Sequence, residues 1–293
     1  MRTRLFSLLS LFSVVAGGLA ASTAACSSAD TDPLAGRATT GATVAESPQP
    51  APTTTASPPR GFAPPPPAAP LDEPGPAPAG CGEVTKDQDG FFTRTTAKSP
   101  YVGYVPKSYT GQPTMLVVGM HGCGDNAQNF AGWGVNPYDS RETQAWIGIA
   151  IGGRDGDCWD TSHDADKVLA AIADVSTCFY VHKQKVVLAG YSSGGILAYE
   201  IGLSRAASFA GIVIENSGLG STQPSQAAWK INVAHIAHSS DQEFPIAGVH
   251  SDWAKLEAAG IPLQKSEVAG AHDGTTDDWA GYLLPKIGAW KAP

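Results

Sequence analysis

From residue 81 onward, continuous apolar runs of strand length alternate with stretches of helical periodicity. Thr114–Met120, Ala145–Ile151, Lys185–Ala189, Ala210–Ile214 and Ile231–Ile236 are near-uniformly apolar, the pattern of parallel strands buried on both faces. Tyr101–Val105 alternates in character and is expected to be an early antiparallel strand. Between these runs, Asp164–Val175, Gly195–Ser204 and Val249–Ala259 repeat their apolar positions with helical spacing, and a last amphipathic stretch covers Thr276–Trp290. Strand and helix in repeated alternation predict a mostly parallel sheet flanked by helices on both faces. No internal repeat interrupts it. Residues 81–293 are long enough to bury a substantial core as one domain.

The chain before residue 81 has no such pattern. Residues 27–80 hold 14 of the 23 prolines, many Ala and Thr, and a single aromatic, Phe62. Too little apolar surface is available there to offset the entropy of ordering, so a disordered, polyproline-like tether is expected. Residues 1–26 read as an export signal: Arg2 and Arg4, an apolar stretch Leu5–Ala20, then small residues up to Cys26. Thr23-Ala24-Ala25-Cys26 is similar to a bacterial lipobox, in which Cys26 would carry lipid and anchor the chain to a membrane; Thr23 stands where that motif usually has Leu. Ordinary signal cleavage and an uncleaved anchor are the alternatives. Each places the remaining chain outside the cytoplasm, as a membrane-anchored lipoprotein or a secreted protein.

Charge and cysteine content narrow the possibilities. With 19 basic residues against 27 acidic, net −8 and no basic cluster, the chain is a poor candidate for binding nucleic acid. Beyond Cys26, four cysteines remain: Cys81, Cys123, Cys158 and Cys178. In an oxidising compartment this even number suggests two disulfides, with three pairings open. No CxxC pair or His-x-x-x-His occurs, so no metal site is assigned.

The chemistry centres on Gly190-Tyr191-Ser192-Ser193-Gly194-Gly195. It directly follows an apolar strand and directly precedes a helix, the setting in which a tight turn exposes a nucleophilic serine. Ser192 is the expected nucleophile, with the helix N-terminus favouring developing negative charge. Such a serine needs a base, and the base an orienting acid. Asp241, in the loop after Ile231–Ala237, is the preferred acid, with Glu243 as fallback. His272, in Gly270-Ala271-His272-Asp273-Gly274, is the preferred base. His250 falls in a predicted helix, and His238 lies too near Asp241 in one loop; both are expected at the surface or in packing. The backbone N–H groups of Ser193 and of Cys123, in His121-Gly122-Cys123-Gly124, are the expected oxyanion donors. His121 is expected to be a structural hydrogen-bonder. Trp133, Trp159 and Trp279 could line a binding cleft or simply pack, Trp159 being the better candidate for the cleft.

At these residues the chain resembles the secreted α/β-hydrolase esterases that include polyhydroxybutyrate depolymerases, feruloyl esterases and acetylxylan esterases. The resemblance rests on Gly80-Cys81-Gly82, His121-Gly122-Cys123-Gly124, Cys158-Trp159, Cys178, Gly190–Gly195, Asp241 and His272, and covers most of residues 81–293. It implies an extracellular serine esterase without a cofactor, cleaving a carboxylic ester whose acid or alcohol part belongs to a polysaccharide or polyester. It also implies the pairings Cys123–Cys158 and Cys81–Cys178. His238-Ser239-Ser240-Asp241 departs from the usual His-Gly-Thr-x-Asp, and a helical lid is minimal. An α/β-hydrolase peptidase would use the same machinery but commonly has a bulky aromatic where Ser193 stands. A non-catalytic surface-binding lipoprotein would be expected to have lost one of the three residues. Oligomeric state is not legible.

Overall fold

The computed structural model describes residues 72–153, 158–224 and 229–293. The leader, Cys26 and the proline-rich segment up to residue 71 lie outside the described residues. The described chain contains an eight-stranded sheet ordered β1-β2-β4-β3-β5-β6-β7-β8. Strands β1 (Phe91–Thr95) and β2 (Pro100–Tyr104) pair antiparallel, and β2 joins β4 (Trp146–Ile151) the same way. β3 (Thr114–Met120), β4, β5 (Val181–Tyr191), β6 (Gly211–Glu215), β7 (Asn232–His238) and β8 (Leu263–Val268) run parallel.

The apolar runs form strands because both faces of the sheet are covered. Leu116, Val118 and Met120 point to one face, where they meet α2 (Ala165–Cys178), α3 (Ser193–Ser204) and α4 (Ile246–Ala258) through Val168, Leu197 and Trp253. Met115 and Val117 point to the other, against Phe130 of the short α1 (Ala127–Phe130) and Trp279, Leu283 and Ile287 near the C-terminus. Each fully buried aliphatic side chain contributes about 1.5–3 kcal/mol, which makes the two layers the main stabilising term. α3 buries nine of its twelve residues, as a helix apolar on every side must.

Three expectations are revised. β1 is an added strand, since Phe91–Thr95 has no clear alternation and its pattern predicts none. Thr276–Trp290 is not one amphipathic helix: Asp278–Leu283 winds as a π-turn and Leu284–Ala289 as a 3₁₀ segment containing Pro285, whose ring nitrogen has no hydrogen to donate. Residues 72–80, assigned by composition to the tether, lie against the folded unit. Glu73 N–H donates to Gln184 Oε1 at 2.8 Å, Lys183 N–H to the Pro74 carbonyl at 3.0 Å, and Gly80 N–H to the Thr177 carbonyl at 2.9 Å. Among the described residues, no helix is long and apolar enough to cross a membrane.

Candidate active site

The parallel strands end together at one edge of the sheet, and the loops beyond β3, β5, β6, β7 and β8 converge there. Ser192 follows β5 directly and opens α3 with φ 54° and ψ −125°. This positive φ is costly for any residue with a Cβ and persists only where surrounding structure enforces it. Both flanking glycines are required. A Cβ on Gly190 would lie 2.4 Å from the Gly194 carbonyl oxygen, and one on Gly194 would lie 2.0 Å from that of Met120. The turn is further held by Ser192 N–H donating to the Glu215 carbonyl at 3.2 Å and Ser217 Oγ–H donating to the Ser192 carbonyl at 2.6 Å.

His272 stands at the other end of a hydrogen bond from this serine. Its Nε2 is 2.9 Å from Ser192 Oγ and its Nδ1 is 2.8 Å from Asp241 Oδ2. A carboxylate can only accept, so Nδ1 carries the hydrogen and Nε2 is left as acceptor for the hydroxyl. Asp241 is buried; its Oδ1 accepts the N–H groups of Glu243 at 2.8 Å and Phe244 at 2.9 Å. Glu243, the fallback acid, thus contributes its backbone to the site and not its carboxylate. The imidazole is stacked between two rings, Tyr191 at 5.4 Å and Phe244 at 5.6 Å between centroids.

Gly122 brings the loop after β3 against the serine: a Cβ there would lie 3.2 Å from Ser192 Cβ and 2.6 Å from the Tyr191 ring. Cys123 follows it. Among the described residues, the N–H groups of Cys123 and Ser193 have no internal acceptor. Cys123 is bonded to Cys158, and Cys81 to Cys178. The first bridge ties the loop after β3 to the loop after β4. The second lies away from Ser192, at the C-terminal end of α2.

The other singled-out residues have different positions. His121 is buried, with Nδ1 2.8 Å from the Gly122 carbonyl, and its ring packs on Trp159 at 5.1 Å. Trp159 is buried and donates to the His121 carbonyl at 2.7 Å, so it braces the loop after β3. Trp279 is fully buried and donates to Glu215 Oε2 at 2.6 Å. Trp133 is the tryptophan at the surface of the site, edge-on to Tyr191 at 5.3 Å. It borders an open cleft of about 590 Å³ with Asp125, Asn129, Tyr138, Arg141 and Gly274. His250 sits on α4 and meets Glu267 at 2.8 Å. His238, expected at the surface or in packing, is buried at the end of β7.

Sequence reading missed Glu215 and Asn216. Glu215 is fully buried, and burial holds its carboxyl well above the usual range; its oxygens accept Thr275 N–H at 2.8 Å and the Trp279 indole. Asn216, at φ 45°, is the other non-glycine residue with positive φ among those described. The available signal was an acid and an asparagine closing an otherwise apolar run, Ile212-Val213-Ile214-Glu215-Asn216.

No family model matches the chain, and no curated protein matches it in sequence. Solved structures do match in shape. A ferulic acid esterase superposes with a TM-score of 0.54 at 12% identity, over 67% of this chain and 95% of its own. The Bacillus cereus carboxylesterase superposes with 0.53 at 16% identity, over 63% and 92%. The chain spans 38% of the length of an acylaminoacyl peptidase from Pyrococcus horikoshii, with a TM-score of 0.48 at 13% identity over 64% of this chain. With its mostly parallel eight-stranded sheet and flanking helices, the chain has the α/β-hydrolase fold.

Proposed function

We propose that the protein is a serine esterase, hydrolysing carboxylic esters through an acyl-enzyme without a cofactor. The observation that carries this reading is the unbroken run of hydrogen bonds from Ser192 Oγ through His272 to Asp241, beginning at a serine held at φ 54°. Ser192 Oγ attacks the ester carbonyl carbon while its proton passes to His272 Nε2, and Asp241 stabilises the resulting imidazolium. The N–H groups of Ser193 and Cys123 stabilise the oxyanion. Collapse of the tetrahedral intermediate breaks the ester C–O bond, and His272 returns the proton to the departing alcohol. Water then repeats the sequence on the acyl-enzyme, releasing the acid and restoring Ser192.

The finer reading is an exported enzyme, anchored by lipid on Cys26 or secreted, acting on feruloyl or acetyl esters of a polysaccharide or on a polyester. Two disulfides suit an oxidising compartment, and the open cleft beside Trp133 offers room for a part of the substrate beyond the ester.

The test is labelling with a fluorophosphonate probe and turnover of p-nitrophenyl acetate, with Ser192→Ala as control. Both activities are expected in the wild type and neither in the variant; a wild type that is folded but unlabelled and inactive overturns the reading. Methyl ferulate, acetylated xylan and hydroxybutyrate oligomers then separate the substrate classes.

A further inference from the structure

Three consecutive carbonyls around His272 are each held by a side chain from the end of a different strand. The Ala271 carbonyl lies 2.7 Å from Nδ1 of His238, the last residue of β7. The His272 carbonyl accepts the Tyr191 hydroxyl at 3.0 Å, at the end of β5. The Asp273 carbonyl accepts Asn216 Nδ2–H at 2.9 Å, one residue past β6. A carbonyl can only accept, so the 2.7 Å contact requires a hydrogen on His238 Nδ1. Asn216 Nδ2, 3.1 Å from the same nitrogen, then packs against it and donates to the Asp273 carbonyl instead. The base therefore sits on a backbone pinned at three successive points.

Asn216 joins these points together. Its N–H donates to the Ile236 carbonyl at 3.0 Å and its Oδ1 accepts the His238 N–H at 2.9 Å, so its side chain is fixed from β7 while its Nδ2 reaches the histidine loop. Its left-handed backbone directs the amide there, and asparagine adopts that conformation more readily than most residues. The far limb of the loop is held too: Glu215 accepts Thr275 N–H and the Trp279 indole, and His238 Nε2 lies 2.9 Å from Asp278 Oδ2.

Glu215, His238 and Asp278 also present ligand atoms within 4.8 Å of one another, as a cation site would. The 2.9 Å contact argues for direct hydrogen bonding instead, since two ligands of one tetrahedral zinc stand about 3.3 Å apart. Simple packing would explain burial. It would not by itself require a donor on every carbonyl from 271 to 273.

We propose that Asn216 and His238 are positioning residues for the acyl-transfer reaction, holding the 271–273 backbone so that His272 Nε2 stays on Ser192 Oγ. The proposal rests on the esterase reading of Ser192. Displacement of a reacting group by about 1 Å costs about 100-fold in rate, so the pinning would appear in kcat and leave substrate binding largely unchanged.

The experiment compares full-length Asn216→Asp, Asn216→Gly and His238→Gln with wild type. Asn216→Asp preserves shape and the acceptor for His238 N–H, but turns an oxygen toward the Asp273 carbonyl and toward His238 Nδ1. Asn216→Gly suits the positive φ and removes every side-chain contact to His238 and to the Asp273 carbonyl. The readouts are kcat and KM on p-nitrophenyl acetate, the rate and final extent of fluorophosphonate labelling, and thermal unfolding. Final extent counts folded sites, so a loss of folded protein is separated from a loss of rate. Asn216→Asp is expected to lower kcat about 10- to 100-fold with KM within about twofold, and to slow labelling in the same ratio. Asn216→Gly and His238→Gln should fall between it and wild type. Variants that melt earlier yet retain wild-type kcat per labelled site and labelling rate overturn the proposal. A folded wild type that is neither labelled nor active overturns the esterase reading, and this inference with it.

Discussion

Two histidines three residues apart on β7 show how differently the middle and the carboxyl edge of this sheet are built. His235 is mid-strand and fully buried, 3.0 Å from the Tyr199 hydroxyl and edge-on to Trp253, and burial lowers its imidazole to about 3. His238 is nearly as buried, but both of its nitrogens face oxygen acceptors, on Ala271 and Asp278. The surroundings follow the same division. Mid-sheet positions such as Leu116, Ile149, Leu188 and Val213 are apolar and inaccessible. Ser192, Ser193, Glu215, Asn216, Ser217, His238 and Asp241, all buried and polar, gather at the ends of β5, β6 and β7. Ser192 and Asn216, with positive φ, end adjacent strands. Burying polar groups is costly unless each is bonded. The edge accepts that cost where geometry matters, and the middle supplies the stability.

The comparison breaks most visibly if a change in one region has the effect assigned to the other. Asp241→Asn at the edge removes the acceptor that sets the His272 tautomer. By analogy with the Ser-His-Asp triad of known serine hydrolases it is expected to lower kcat about 10³- to 10⁴-fold. Leu188→Ala in the middle is expected to cost about 2–5 kcal/mol of stability, from lost burial and the cavity left behind, with kcat per labelled site unchanged. Denaturant unfolding and active-site titration, run on both variants, read the two effects separately. An Asp241→Asn enzyme within tenfold of wild type would remove the carboxylate from the mechanism.

The disulfides provide a second, smaller contrast. Cys81–Cys178 closes a separation of 97 residues and Cys123–Cys158 one of 35. In the chain-entropy account they contribute about 4.7 and about 3.8 kcal/mol respectively. Replacing both cysteines of the first pair with serine should therefore destabilise slightly more and leave kcat alone. The same replacement in the second pair frees the loop carrying Cys123 N–H, and kcat should fall several-fold. Equal kcat in the two double variants would show that the second bridge only staples the fold.

How far the sequence could be read follows the same division. Apolar runs are dictated by burial on both faces, so β3 begins and ends at the residues its pattern suggested, Thr114 and Met120. The glycines around Ser192 were legible because close backbone approach leaves no room for a Cβ. Glu215 and Asn216 were not, because their partners, Thr275, Trp279 and Asp273, lie about 60 residues away. Trp159 and Trp279 look alike in sequence whether they line a cleft or pack. Residues 72–80 have the composition of a tether, and only their hydrogen bonds to Thr177, Lys183 and Gln184 separate them from it.

The finest contrast is in pH dependence, where the two regions should have opposite signs. His235 in the middle has its pKa lowered from an ordinary 6.5 to about 3 by burial. As pH falls from about 6.5, the unfolded chain gains a proton there that the folded chain refuses, so stability is lost on acidification. Glu215 at the edge has its pKa raised above 4.5, first by burial and further by Asp278. As pH rises past about 4.5, the unfolded chain releases a proton that the folded chain retains, so stability is lost on the alkaline side. Each group contributes at most about 1.4 kcal/mol per pH unit within its window. His235→Gln should flatten the acid limb of the stability profile. Glu215→Gln leaves one of the two N–H donors, Thr275 or Trp279, without an acceptor and should cost about 1–3 kcal/mol near pH 5. Its deficit should shrink as pH is raised toward 8, because the wild type alone bears the growing penalty. Urea midpoints of both variants between pH 4 and 8 give the slopes, and a Glu215→Gln deficit that stays constant or widens with pH would place an ionised carboxylate in that buried position.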